Sequence, residues 1–212
     1  MDITITAEIK NIPLKFCTHP SLFSPSAIDA GTLAMLSKAD FRADDKVLDL
    51  GCGYGIVGIL AAKLISGRNV VMCDSSGTAV EYAKINARLN QVPEIDIRPS
   101  NGFENIPEKD FSLILSNPPY HTDFSVAKHF IETGFFRLAP GGRMLMVAKR
   151  LPWYKNKFTS LFGGVMVYEI NGYYVFLAEK RQARPPQKVK EPNKLSKKLQ
   201  RKYAKKSSCP KG

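Results

Sequence analysis

The stretch KVLDLGCGYGIVGILAAKLI, residues 46 to 65, restricts the possible folds more than any other part of the chain. A short apolar run of strand composition enters three glycines in five positions and leaves them as a continuous helical run. Three residues later comes NVVMCD (69 to 74), a second β-branched run. Strand, tight turn, helix and strand in that order make the two strands parallel, since only a crossover connection joins parallel neighbours.

The same rhythm continues downstream. SGTAVEYAKINARLN (76 to 90) has helical spacing with Ser75 or Ser76 as N-cap, and EIDIRPS (94 to 100) is a third strand. FSLILS (111 to 116) is a fourth strand, FSVAKHFIETGFFRL (124 to 138) a helix, and GGRMLMVAK (141 to 149) a fifth strand. A helix is expected over PWYKNKFTSLF (152 to 162), after which GVMVYEI and YYVFLAEK flank Asn171-Gly172, a strong hairpin signal. At the other end, ITITAEI and IPLKF read as a small hairpin, and AIDAGTLAMLSKA as a helix through Ile28, Leu33 and Leu36.

The expected fold is therefore α/β: a doubly wound, mostly parallel, Rossmann-like seven-stranded sheet with a C-terminal antiparallel hairpin. Residues 1–45 form an N-terminal hairpin and helix extension, 46–180 the main domain and 181–212 a basic tail. No stretch approaches the roughly 20 apolar residues of a membrane helix, and MDITITAEIK lacks the regions of a signal peptide, so a cytoplasmic chain is expected. Cys17, Cys52, Cys73 and Cys209 show no metal or disulfide spacing and read as reduced thiols, Cys52 as a small residue in a crowded turn.

Gly53-Tyr54-Gly55-Ile56-Val57-Gly58 matches G-x-G-x-x-G, with Asp74 ending the next strand, as in a dinucleotide fold. Asp49 argues against a pyrophosphate. Its carboxylate stands two residues before Gly51, at the mouth of the turn, where a second anion is repelled. S-adenosylmethionine fits instead, having an ammonium and a sulfonium and no phosphate. Gly51, Gly53 and Gly55 allow close backbone approach, and Asp74 can accept from both ribose hydroxyls. After the third strand, Asn101, next to Gly102, can accept from the adenine amine or cap a turn. The alternative for the whole turn is a tight strand-to-helix connection with Asp49 and Asp74 as solvated caps.

SNPPYH (116 to 121) follows the fourth strand, at the sheet end where open α/β folds bind ligands. An amine conjugated to a base or carbonyl is a poor nucleophile because its lone pair is delocalised. Two acceptors in its plane, the side-chain oxygen of Asn117 and the carbonyl of Pro118, bind its N–H groups and favour the pyramidal form. Pro118 and Pro119 lack N–H groups and hold those carbonyls out of a ladder, and Tyr120 can stack on the base. Asn117, Pro118, Pro119 and Tyr120 are thus the catalytic candidates. As an isolated signal, N-P-P is also an ordinary strand terminator.

LFSPSAIDAGTLAML (22 to 36), VLDLGCGYGIVG (47 to 58), SNPPYH and LAPGGRMLMVAKR (138 to 150) together resemble the class I S-adenosylmethionine-dependent methyltransferases, specifically the small-domain family related to the ribosomal RNA guanine-N2 enzymes. The resemblance runs over about residues 14 to 180. It implies S-adenosyl-L-methionine as cofactor, RNA as substrate, and Phe23, Ser24 and Gly31-Thr32 lining the pocket from the N-terminal side. His121 would orient the target or a nearby phosphate, and Trp153 with Tyr154 would stack a base or serve the core. The best-known relatives carry a further, duplicated non-catalytic domain that these residues do not include, which leaves the target base open.

Charge enters through its distribution. The net charge is +12, and residues 180 to 212 hold 13 of the 31 Lys and Arg with one acid, Glu191, so they carry +12 and residues 1 to 179 balance to zero. Such a tail is expected to be disordered when free, with Leu195, Leu199 and Tyr203 forming a weak stripe if it folds on a partner. RNA is the partner expected for it; a solvated tail or an acidic membrane surface are the alternatives. The leading expectation is a methyltransferase acting on an exocyclic amine of RNA, first of all guanine N2 of ribosomal RNA. Adenine N6, a protein glutamine amide, and a non-catalytic RNA-binding or ribosome-assembly role stand beside it.

Overall fold

In the computed structural model, residues 2–119 and 124–181 are described. Two strands, β1 (Ile3–Ile9) and β2 (Ile12–Thr18), pair antiparallel, the turn at Lys10 and Asn11 having positive φ at both positions. Helix α1 (Ala30–Lys38) follows, capped by Asp29, whose carboxylate accepts from the Thr32 N–H at 2.8 Å.

The main sheet then forms from β3 (Val47–Leu50), β4 (Val70–Asp74), β5 (Asp96–Pro99), β6 (Phe111–Ser116), β7 (Leu138–Ala148), β8 (Met166–Ile170) and β9 (Tyr173–Glu179). Their order is β5-β4-β3-β6-β7-β9-β8. The first five are parallel; β9 runs antiparallel to both β7 and β8, closing the sheet with the expected hairpin. The connecting helices are α2 (Ile56–Leu64), α3 (Gly77–Leu89, capped by Ser76), α4 (Phe124–Arg137) and α5 (Leu151–Phe162).

Strand residues alternate between two cores. Val47, Met72, Leu113, Leu115, Leu145, Val147 and Val175 face α1, α2, α3 and the N-terminal hairpin. Leu48, Leu50, Ile114, Met144, Met146 and Phe176 face α4 and α5. An irregularity between Phe111 and Leu113 puts Phe111 on the face of Ile114, where strict alternation would have set it with Leu113 and Leu115. Ahead of it Leu138 pairs with Phe111, so β7 begins three residues before the glycine pair that marked it in the sequence.

The hairpin is fastened by α3. Asn86, fully buried, accepts from the Cys17 N–H (2.7 Å) and donates to the Cys17 carbonyl (2.9 Å) and the Tyr54 carbonyl (2.8 Å). Asn90 pairs with Lys15 in the same way, at 3.0 and 2.7 Å. One helical turn thus lays two side-chain amides along alternate residues of β2, and residues 2–181 belong to one compact unit. At the opposite end of the sheet, buried Arg143 pairs with buried Asp45 at 3.0 Å, and Asp45 also accepts from Ser112. No helix among the described residues is long and apolar enough to cross a membrane. The tail expectations for 182–212 lie outside the described residues, as do those for Tyr120 and His121.

Candidate active site

The carboxyl end of β3 turns sharply at Gly51, where φ is 77°, and the Gly51 and Cys52 N–H groups both donate to the Cys73 carbonyl at 2.9 Å. Asp74, at the end of β4, accepts from the Gly53 N–H through one oxygen and from the Ser76 N–H through the other, both at 2.9 Å. The glycine turn and the start of α3 are thereby tied to one carboxylate.

Asp49 lies deeper than the sequence placed it. It is 2 % exposed, and its Oδ2 accepts from the Gly58 N–H at 2.9 Å in the first turn of α2. Burial raises its pKa to about 7; the Gly58 N–H opposes that shift and the Asp74 charge adds to it. Gly58 itself allows α2 to lie against β4, since a Cβ there would stand 2.4 Å from Met72 Cγ. Gly55, expected to meet the cofactor, serves packing as well: with φ at 103°, it leads into α2, and a Cβ would meet Ile59 at 2.9 Å and Met72 at 3.0 Å. It lines neither of the two cavities at the turn.

The larger of those cavities, about 420 Å³, is lined by Phe23, Gly51, Gly53, Asp74, Ser75, Ser100, Asn101, Gly102, Asn117, Pro118, Pro119, Val126 and Phe130. A narrower one of about 60 Å³ shares Phe23, Gly51, Gly53 and Asn117 and adds Ser24, Asp29, Thr32, Asp49 and Tyr54 among others. The cofactor and catalytic candidates thus meet at one sheet end. Asn101 reaches the larger cavity with its side chain exposed, its amide nitrogen donating to Glu104 at 2.9 Å. Among the described residues no Lys or Arg lines either cavity, whereas Asp29, Asp49 and Asp74 all contribute. A pyrophosphate would find no counter-charge among these residues, and a ligand with a cationic end finds three carboxyl groups.

Asn117 is oriented by α1. Its amide nitrogen donates to Asp29 Oδ2 and to Thr32 Oγ1, both at 2.9 Å. A carboxylate only accepts, so the nitrogen must face Asp29, which fixes the direction of the amide oxygen. Ser116 Oγ donates to the Leu50 carbonyl at 2.8 Å, locking the ends of β6 and β3 together. Asp29 was not among the sequence candidates. Its signal was present as an N-cap position, D-A-G-T ahead of an apolar run. Asn86 and Asn90 were also missed, though an asparagine inside a helix, as at Asn86, is an unfavourable choice that calls for a partner.

Of the two roles open to Tyr154, stacking a base or serving the core, the structure favours the core. Tyr154 is buried and stacks on Phe176 with centroids 5.4 Å apart, while Trp153 is half-buried and stacks on Phe124 at 4.4 Å. Cys17, Cys52 and Cys73 are free thiols. Burial pushes Cys52 well above the ordinary thiol range, with Asp49 and Asp74 adding to the shift, which disfavours the nucleophilic thiolate. Among the described residues no group of His, Cys, Asp and Glu could hold a metal ion.

Residues 13–178 match the model of the methyltransferase small domain family. Ribosomal RNA small subunit methyltransferase C of Psychromonas ingrahamii is 32% identical over 168 residues, 77% of this chain and 48% of that protein. Ribosomal RNA large subunit methyltransferase G of the same organism is 29% identical over 187 residues, 83% of this chain and 48% of that protein. The chain spans about half the length of the curated relatives it matches. The structure of the Thermus thermophilus 16S rRNA N2-guanine methyltransferase in complex with AdoMet and guanosine aligns at 26% identity with a TM-score of 0.79, over 85% of this chain and 51% of that one. With a family model matching most of its length, a sheet of the same class and its glycine turn facing N-P-P across one cleft, the chain belongs to the methyltransferase small domain family.

Proposed function

We propose that the protein is an S-adenosylmethionine-dependent N-methyltransferase acting on an exocyclic amine of RNA, guanine N2 of ribosomal RNA. The carrying observation is the single cleft that joins Asp74 and the glycine turn to Asn117 and Pro118. The similarity to rRNA methyltransferases, including one solved with AdoMet and guanosine, supports the substrate class.

S-adenosylmethionine supplies an electrophilic methyl group. Asp74, with both oxygens already anchored on N–H groups, presents its remaining lone pairs to the ribose hydroxyls, and Asn101 and Gly102 flank the adenine end. Gly51 and Gly53 admit the methionine part, and Asp49 and Asp29 attract its ammonium. The Asn117 amide oxygen and Pro118 carbonyl accept the two N–H bonds of the target amine, and Pro119 holds the segment extended. Formation of the nitrogen–carbon bond would break the methyl–sulfonium bond and leave S-adenosylhomocysteine; the same acceptors would stabilise the cationic nitrogen as it develops, and its proton would then pass to solvent. Tyr120 is proposed to stack the base, His121 to orient it, and Phe23 and Ser24 to border it from the N-terminal side. The basic tail, 181–212, is proposed to add affinity for RNA, and the site of action is the cytoplasm.

The test is incubation with labelled S-adenosylmethionine and ribosomal RNA from cells lacking the protein, followed by nucleoside mapping. Labelled N2-methylguanosine is expected. Label on adenine or only in protein overturns the choice of amine, and RNA binding without transfer overturns the enzymatic reading.

A further inference from the structure

Between Glu132 and Glu169 the sequence contains no acidic residue, although residues 1 to 179 as a whole are neutral. Of the six cations in this span, Arg137 donates to the Pro107 and Glu108 carbonyls, Arg143 pairs with Asp45, Lys157 pairs with Glu132 and Lys155 is exposed on α5. Lys149 and Arg150 are consecutive, exposed and placed immediately after β7.

Their position follows from the sheet. β7 runs parallel to β6 with Ser116 opposite Met146, so the chain leaving β7 after Ala148 emerges beside the chain leaving β6 at Asn117, Pro118 and Pro119. Both cations lie against aromatic rings. The Arg150 guanidinium is 5.2 Å from the centroid of Phe124, and the Lys149 ammonium is 5.1 Å from that of Tyr173. Phe124 is the first residue of α4 and carries the stacked Trp153, so Arg150 is held on the element that resumes after the N-P-P segment. A ring face attracts the guanidinium through its charge and uses few of its five N–H donors, which remain suited to an anion with two oxygens in one plane.

We propose that Lys149 and Arg150 bind the backbone phosphates next to the target nucleotide and so set its register over Asn117 and Pro118. This rests on the RNA reading above and adds a phosphate site within the folded unit, separate from the tail. A stack of Arg150 on Phe124 with no part in binding is the competing account.

The pair Lys149→Met and Arg150→Met, made together in the full chain, keeps the apolar stems on their rings and removes both charges. Ribosomal RNA from cells lacking the protein is titrated against wild type and variant across salt concentrations. The slope of log affinity against log salt is expected to fall by about two, roughly one per lost phosphate contact. The KM for RNA should rise roughly tenfold, while the affinity for S-adenosylmethionine, the melting temperature and kcat hold. An unchanged salt slope and KM in a variant derived from an active wild type overturns this proposal alone. A lower melting temperature with an unchanged slope also overturns it, in favour of the stack. If wild type methylates no RNA, the functional reading fails and takes the phosphate site with it.

Discussion

The two walls of the cleft are built by different means. The wall that carries Asp49 and Asp74 is local. The bonds that set its two carboxylates and the turn lie within residues 49 to 76 and are donated by backbone N–H groups: Gly58 to Asp49, Gly53 and Ser76 to Asp74, Gly51 and Cys52 to the Cys73 carbonyl. The wall that carries Asn117 is assembled at long range, from a helix cap 88 residues earlier in the chain. A local wall forms whenever its βαβ unit forms; a long-range wall needs the N-terminal segment docked. Cofactor affinity and transfer should therefore respond to different substitutions.

The largest effect is expected at Asn117→Ala. Loss of one acceptor for the amine should lower kcat by about 10²–10³-fold, the range seen on removing one preorganised polar group, with S-adenosylmethionine affinity nearly intact by calorimetry. A parallel loss of cofactor affinity would break the division between the walls. Next is Asp29→Ala, which removes the α1 cap and the group that turns Asn117. A stability loss of about 1 kcal/mol by denaturant titration is expected, with a fall in kcat that exceeds any change in cofactor affinity.

On the other wall, Asp49 makes a pH prediction. Its pKa is raised from 3.8 to about 7 by burial, so the folded apo protein binds that proton more tightly than the unfolded chain does. The stability this contributes is fully present below about pH 4 and is lost as pH rises to about 7. A cationic ligand favours the ionised form, so S-adenosylmethionine affinity should grow from pH 5 and level off above about 7. Asp49→Asn should flatten both dependences; a pH-independent affinity in wild type would remove Asp49 from ligand binding. The smallest effect is expected at Tyr54→Phe, which loses a 3.3 Å hydrogen bond from the hydroxyl to the Ser24 carbonyl, worth about 0.5–1.5 kcal/mol. If thermal melting of that variant falls no further than this range and transfer falls more than cofactor binding, the segment bearing Phe23 belongs with the long-range wall.

The same division explains what could be read from sequence. Strand and helix periods, the glycine turn and Asn171-Gly172 act over a few residues, and the seven strands and the glycine-turn wall of the cleft were legible from them. Asp29 was not, because its importance comes from Asn117, which no spacing rule connects to it. For Tyr154 the sequence left stacking and the core both open, and the choice depended on β9 placing Phe176 beside it. Asp49 was recognised as an anion at the turn, but its depth depends on Gly58 letting α2 approach β4, a packing distance that the glycine pattern does not state.

The amide pair on α3 has a consequence of another kind. A two-stranded hairpin has an outer edge, and an unprotected edge invites strands from other molecules. On β2 the outward-facing positions are Pro13, Lys15 and Cys17; proline brings no N–H, and Asn90 and Asn86 occupy the N–H and carbonyl of the other two. The edge is closed by a helix that imitates a neighbouring strand with side chains alone. Because Asn86 also holds the Tyr54 carbonyl, the side chain that closes this edge of β2 is the one that ties it to the glycine turn.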